Sequence, residues 1–131
     1  MKKYFFILIS LLFLACSNEE WNVAESGLDA GREFIDACLK GNFEKAEFYM
    51  LASVENEKAL DAIEKKYRNQ NRDGRNEYRN ASINILAVKE LNVNEWEIEF
   101  QNSYDKKPGK LKAVKQAEKW LVNLSQSKLP E

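Results

Sequence analysis

The sequence contains no histidine, only two cysteines and no surplus of basic residues, since 20 Lys and Arg stand against 21 Asp and Glu. The absence of histidine excludes Ser-His-Asp and Cys-His catalysis and every metal site that depends on an imidazole ligand. Two cysteines allow at most one disulfide bond. A nucleic-acid binder would show a concentrated basic surface, so the charge balance argues against that class.

Apolar residues are instead concentrated at the start of the chain. Lys2 and Lys3 give a positive beginning, and residues 4–15 are apolar except for Ser10. A helix of this length rises about 18 Å, well short of the roughly 30 Å of a hydrocarbon core. The pattern is therefore typical of a secretory signal peptide and not of a transmembrane span.

The apolar run ends at Phe13-Leu14-Ala15-Cys16, with a small residue directly before a cysteine. This junction resembles the lipobox of bacterial lipoproteins, in which the peptide is cut before a diacylated cysteine. The resemblance implies that residues 1–15 are a lipoprotein signal peptide and that Cys16 carries lipid that holds the protein on a membrane. The alternative is an ordinary cleaved signal with Cys16 paired to Cys38.

Removal of residues 1–15, which contain two lysines and no acidic residue, leaves 18 basic and 21 acidic residues. Residues 16–26 are polar and are predicted to be a lipidated tether, followed by one domain over residues 27–126 and a tail over 127–131.

Ser17-Asn18-Glu19-Glu20 resembles the acidic signal of lipoproteins that are sent to the bacterial cell surface. A plain solvated linker explains these residues about equally well, so the protein is predicted to lie on the outer membrane, and whether it faces the periplasm or the cell surface stays open.

The first half of the domain has helical periodicity. Ser26 and Asp29 fit a capping box at the start of a first helix, and Gly41 is predicted to end it. Asn42 then caps a short second helix, and Ser53 or Asn56 opens a third. Asp73-Gly74 is predicted to break the helical pattern.

The second half changes to a period of two. Residues 94–104 alternate, with Trp96, Ile98 and Phe100 on one face and glutamates between them. Pro108-Gly109 marks a turn, and two further strands follow. Helices followed by an antiparallel meander predict an α+β fold, with N-terminal helices packed on a curved antiparallel sheet of about four strands.

The segment GREFIDACLKGNFEKAEFYM and the ending EKWLVNL resemble nuclear transport factor 2-like domains, also called the cystatin-like cone fold, in a branch of unknown function found in bacterial lipoproteins. The resemblance covers residues 27–125. It implies a cone-like cavity between the first helix and the sheet. Relatives of this fold include isomerase-like enzymes, scaffolds and sensors, so the fold does not choose an activity.

The inward face of the long alternating strand is the strongest candidate for a pocket. Asn102 lies between aromatic residues on that face, where its amide could orient a ligand. The alternatives are that Asn102 meets water at the strand end and that the aromatic residues only fill a core. The candidate pocket residues are Phe34, Trp96, Phe100, Asn102 and Tyr104.

Other clusters of charged or thiol side chains are interpreted as structural or solvent-exposed and not as functional sites. Glu95, Glu97 and Glu99 are predicted to be a solvated face and not a cation site. Cys38 is interpreted as a small core residue. A basic series is interpreted as a solvated helix end; its members are Lys65, Arg68, Arg72, Arg75 and Arg79.

These features predict a lipid-anchored protein of the bacterial cell envelope that acts as a non-catalytic binding or accessory domain. Its partners are expected to be the membrane, through Cys16, and a small apolar ligand or an envelope protein. No catalytic residue, metal or cofactor is predicted. The alternatives are an isomerase- or dehydratase-like enzyme in the same pocket, and an interaction module that uses the outer sheet face as a homodimer.

Overall fold

The computed structural model describes residues 20–131, so the predicted signal peptide and Cys16 lie outside the described residues. Four helices precede four strands, and the α+β prediction is confirmed. No helix within residues 20–131 is long and apolar enough to cross a membrane. The elements are α1 (Gly27–Leu39), α2 (Phe43–Phe48), α3 (Val54–Arg68), α4 (Arg72–Asn80), β1 (Ile83–Asn92), β2 (Glu95–Asn102), β3 (Gly109–Gln116) and β4 (Lys119–Lys128).

Local capping chemistry fixes the helix boundaries. The Ser26 hydroxyl accepts the Asp29 N–H at 3.1 Å, and the Asp29 carboxylate accepts the Glu25 N–H at 3.0 Å. The Ser26 bond satisfies an N–H group that a helix start leaves without an intrahelical partner, and the Asp29 carboxylate reaches back to the residue before the cap. At the other end, Gly41 adopts φ +71°, a left-handed conformation that glycine enters without steric cost. The predicted start and end of α1 are confirmed.

Side-chain caps also begin the other helices. Asn42 accepts the Lys45 N–H at 3.1 Å, and Ser53 accepts the Asn56 N–H at 3.1 Å, so Ser53 is the cap of α3. The prediction that Asp73-Gly74 breaks the pattern is wrong. Both residues lie in the first turn of α4, where the Asn71 side chain accepts the Gly74 N–H at 2.7 Å. The negative charge of Asp73 there interacts favourably with the positive end of the helix dipole.

The sheet is an antiparallel meander in the order β1-β2-β3-β4. Register shifts interrupt β1 between Ile85 and Ala87 and again between Glu90 and Asn92. The free side of β4 is partly closed, because Leu51 N–H donates to the Val122 carbonyl and Val122 N–H donates to the Tyr49 carbonyl, each at 2.8 Å. The two edges of the sheet are therefore protected differently, one by pairing and one by bulges.

The core lies between α1 and the inner face of β2, β3 and β4. Alternation along β2 is confirmed at Ile98 and Phe100, which are 0% and 6% exposed. Trp120, Val122 and Leu124 alternate along β4 in the same way, and all three are buried. The outer face carries the glutamates of β2, and Lys110 bridges Glu97 and Glu99 there.

The described chain packs beyond the predicted domain limits at both ends. Trp21 and Ala24, predicted as tether, pack against the core, and the Tyr49 hydroxyl donates to the Asn22 carbonyl at 2.6 Å. At the other end β4 continues to Lys128, and Leu129 packs against the core, where a tail was predicted. Apolar side chains among polar neighbours explain both differences, because each buries its surface against the domain.

Candidate functional site

A cavity of about 160 Å³ opens between α1, α3, α4 and the ends of β2 and β3. Its walls are mainly apolar, and the C-terminal halves of α1 and α3 supply seven of the fifteen lining residues. The C-terminal residues Leu129 and Pro130 close one side. The apolar and aromatic lining residues are Phe34, Ile35, Cys38, Leu39, Ile63, Tyr67, Tyr78, Phe100, Leu111, Leu129 and Pro130. Space between the first helix and the sheet is therefore open in part and not wholly filled.

Gly109 shapes the wall of this cavity. It faces Phe100 across the β2–β3 pair. A Cβ at Gly109 would lie 2.8 Å from Pro130 Cδ and 2.9 Å from Phe100 Cζ, closer than side-chain carbons approach. The glycine thus allows the Phe100 ring and Pro130 to lie against the strand, and the two side chains then form adjoining parts of the wall.

A polar cluster occupies one corner of the cavity. Asn102 Oδ1 accepts the N–H groups of Tyr104 and Asp105 at 2.9 and 3.0 Å, and its Nδ2 donates to Asp105 Oδ1 at 2.9 Å. Asp105 Oδ2 accepts the Tyr78 hydroxyl at 3.2 Å, and Asp105 Oδ1 also accepts the Lys107 N–H at 3.1 Å. We name Asn102, Asp105 and Tyr78 the polar corner.

The Tyr78 hydroxyl of the polar corner stays protonated at neutral pH. Burial, and then the negative charge of the nearby Asp105 carboxylate that accepts its hydrogen bond, raise the pKa of Tyr78 above its ordinary value. The phenol therefore remains a donor to the carboxylate. Lys66 and Gln70, from the end of α3, also line the cavity, and they add an ammonium and an amide to its lining.

The structure brings together three of the five predicted pocket residues. Phe34, Phe100 and Asn102 all line the cavity. The alternative that Asn102 meets water is wrong, because only 7% of the residue is exposed. Burial follows from its position on the inward face of β2 and from the turn that its side chain holds.

Trp96 and Tyr104 do not belong to this cavity. Trp96 lies at the opposite end of β2, where its ring packs on Trp120 with centroids 5.6 Å apart and lies against Gly27. Tyr104 lies past the end of β2 in a turn and is 46% exposed, with its ring edge against Tyr78 at 5.0 Å. Strand alternation cannot be extended to residue 104, because the backbone leaves the sheet after Asn102.

Sequence reasoning missed Tyr78 and Asp105. Tyr78 lies on α4, whose residues are otherwise mostly polar, so periodicity gives no signal of a buried face. Asp105 lies in a turn, where acidic residues are common for local reasons. Only the approach of α4 to the β2–β3 turn, 27 residues apart along the chain, makes the pair.

Cys38 lines the cavity and is of intermediate exposure. Burial among apolar groups raises the pKa of its thiol to about 12. The neutral thiol is a poor nucleophile, so the chemistry of this residue is that of a small apolar wall.

The remaining acidic and basic clusters of the described residues are occupied by local contacts. Within residues 20–131 no group of three or more acidic or cysteine residues is arranged to hold a metal ion. Arginines of the basic series make local contacts: Arg68 pairs with Glu64, Arg75 donates to the Gln70 carbonyl, and Arg79 donates to the Tyr67 hydroxyl. The bonds of Arg75 and Arg79 connect α4 to the end of α3 and the turn that follows it.

No family model, curated protein or solved structure compared with this chain matches it. Function must therefore be argued from the geometry of the cavity itself.

Proposed function

We propose that this chain is a lipid-anchored protein of the bacterial cell envelope whose domain binds a small, mainly apolar ligand without catalysis. The observation that supports the proposal is the cavity of about 160 Å³, with apolar walls and one polar corner. Such a combination is typical of ligand sites, in which apolar walls give affinity and a few polar groups give orientation. The open cavity favours ligand binding over an interaction module, because a module that binds through its outer face does not need an internal cavity.

Cavity volume limits the size of the ligand. Drug-sized ligands occupy pockets of roughly 300–1,000 Å³, whereas a dry cavity of about 150 Å³ holds benzene. The cavity here, about 160 Å³, suits a single ring or the end of a short chain. A larger molecule would extend out of the opening.

Orientation of the ligand falls to Asn102. Its Oδ1 is occupied by two backbone N–H groups, and one hydrogen of its amide is donated to Asp105. An amide nitrogen carries two hydrogens, so one donor is left for an acceptor on the ligand. A ring or chain bearing a carbonyl oxygen fits this arrangement.

Benzene and cyclohexanone are suitable probes of the cavity. Titration of the protein with each, followed by amide NMR shifts, should move Ile63, Tyr67, Phe100 and Leu129 together. Cys38→Leu should weaken binding at least ten-fold, because it fills the cavity, while Val54→Leu adds carbon at an exposed site and should change nothing. Equal binding by both variants would overturn the assignment of this cavity.

The polar corner is tested by the difference between the two probes. Asn102→Ala should weaken cyclohexanone binding and leave benzene binding near normal, since only the ketone accepts a hydrogen bond. Loss of both would indicate a structural role for Asn102 alone.

Anchoring is supported by the sequence at the Phe13–Cys16 junction. The protein expressed with its signal should incorporate labelled fatty acid and float with membranes, and Cys16→Ala should abolish both. Unchanged labelling in Cys16→Ala would contradict the anchor. Because two acyl chains hold far more stably than one, the attachment should survive salt washing.

An enzyme is the second candidate, and Asp105 is the observation that favours it. A carboxyl group beside an apolar cavity and a tyrosine hydroxyl is an arrangement used in general acid–base catalysis. Here, however, three donors occupy Asp105, which stabilises the carboxylate as an acceptor and favours a positioning role. Catalysis predicts that the protein exchanges deuterium from α-deuterated cyclohexanone and that Asp105→Asn loses this exchange.

Membership of the nuclear transport factor 2-like domains belongs to the same proposal. The order of helices and strands and a cavity between α1 and the sheet are consistent with it. The fold by itself does not choose between binding and catalysis.

A further inference from the structure

We infer that the domain lies with one defined face on the membrane, and that Trp21, Val23 and Phe48, which we name the N-terminal patch, contact the lipid surface. This inference rests on the lipid anchor of the proposed function. The argument combines three observations: the clustering of apolar side chains, their distance along the chain from Cys16, and the charges around them.

The patch is a cluster and not a set of scattered residues. The Trp21 and Phe48 rings lie 5.6 Å apart. Val23 and Phe48 are 48% and 39% exposed and line the same shallow depression, together with Leu51 and Leu121. Single exposed apolar residues are ordinary on a protein surface, but a contiguous apolar group marks a contact surface.

Chain length places this patch beside the membrane. Four residue steps separate Cys16 from Glu20, and a fully extended chain spans at most about 14 Å over that distance. From Trp21 onward the chain is fixed on the domain, since Trp21 packs against Phe48 and the Asn22 carbonyl accepts the Tyr49 hydroxyl. A lipid on Cys16 therefore holds the bilayer surface within this short reach of the patch.

The surrounding charges select the kind of lipid. Glu20 and Glu25 lie beside Trp21 and Val23, and the exposed Glu44 and Glu47 precede Phe48 on α2. Lys119 is the basic group that lines the depression. An anionic surface would be repelled by the glutamates, so the favoured occupant is a zwitterionic bilayer surface, at which tryptophan is a preferred interfacial residue.

The patch is separate from the ligand cavity. None of the residues that line the depression beside Phe48 lines the cavity beside Phe100. Variants of the patch should therefore leave benzene binding unchanged, and cavity variants should leave membrane contact unchanged.

The test uses the mature lipidated protein on phosphatidylcholine vesicles. In a Cys38→Ala background, Val23→Cys carries an environment-sensitive nitrobenzoxadiazole dye, and Val93→Cys, at a site 84% exposed in the β1–β2 turn, carries the same dye as a control. Quenching by aqueous iodide is measured with the protein bound to vesicles and after release in detergent-free buffer by proteolytic cleavage of the tether.

The expected result is at least five-fold weaker iodide quenching at position 23 on vesicles than after release, with no change at position 93. Phe48→Glu should restore quenching at position 23 while the protein still floats with the vesicles. Equal quenching at both positions in floating protein would overturn the orientation and leave the proposed function intact. Failure to float would overturn the orientation together with the anchor.

Discussion

Val88 on β1 and Ile98 on β2 are direct partners across the sheet and point to the same side, yet Ile98 is 0% exposed and Val88 is 41% exposed. The difference arises from what covers them. α1 packs over β2, β3 and β4 and comes close enough to Ile98 to touch it at Gly31, whereas the far half of β1 extends past the helices. Two paired residues on the same side of neighbouring strands thus have different energetic roles.

The same contrast appears at the two edges of the sheet. β4 is fixed by the Tyr49–Leu51 segment and by Asn56, whose side chain donates to the Leu51 carbonyl and accepts the Ser125 N–H, each at 2.8 Å. β1 has two register shifts and exposed Leu86 and Leu91 beside them. The covered region should therefore hold most of the stability and the cavity, while the β1 region tolerates change.

Among changes in the covered region and in β1, Phe100→Ala is expected to lower the free energy of unfolding most. Phe100 is 6% exposed in the covered region, and its truncation should lower the free energy of unfolding by about 3–5 kcal/mol. Glu97→Ala, on the outer face of the same strand, should change it by less than about 0.5 kcal/mol. Denaturant unfolding measures both. Equal costs would show that the register of β2 is wrong.

Asn56→Ala tests the fixed edge at β4. Asn56 is 0% exposed, and its truncation leaves the Leu51 carbonyl and the Ser125 N–H without these part-buried bonds. We expect a loss of about 2–3 kcal/mol from the two unpaired groups. Asn84→Ala, at an exposed position of β1, is the matched control, and a similar loss there would remove the distinction between the edges.

Gly31→Ala tests how closely α1 covers β2. A Cβ at this position would lie 2.8 Å from Ile98 Cδ1, so overpacking should cost about 1–2 kcal/mol after the helix-forming gain of alanine. Ile98→Val removes that Cδ1 atom and should restore much of the loss in the double variant. Simple additivity of the two single changes would contradict direct contact.

Val88→Ala is expected to have the smallest effect. Its side chain is 41% exposed, so its truncation should change the free energy of unfolding by about 0.5 kcal/mol or less. Ile98→Val, its partner across the sheet, should cost about 0.5–1.5 kcal/mol although it removes fewer carbons. A larger loss at Val88 in thermal unfolding would show that β1 is covered, as it would be in a dimer.

Local patterns predicted much of the fold. Features that depend on neighbours within a few residues could be predicted from the local sequence. They are the Ser26 cap, the Gly41 end of α1, the Asn42 and Ser53 caps and the alternation of Ile98 and Phe100. The candidate site was predicted in part. Phe34, Phe100 and Asn102 line the cavity, because helix and strand periodicity places them inward.

Errors arose where a residue's surroundings come from distant parts of the chain. Trp96 has the same alternation as Phe100 but lies at the other end of β2, away from the cavity. Tyr104 continues the alternation in the sequence, but its backbone has already left the sheet. Gly74 looks like a breaker, yet Asn71 caps it inside α4.

The sequence by itself determined that helices precede strands, the caps of α1, α2 and α3 and the inward face of β2, because hydrogen bonding and side-chain periodicity act over one or two turns. Tertiary structure alone decided that space remains between α1 and the sheet, that Tyr78 meets Asp105 across 27 residues, and that β1 extends past its cover. Those outcomes depend on how far rigid elements approach one another. That distance is set by many side chains packing at once, and no single stretch of the sequence contains it.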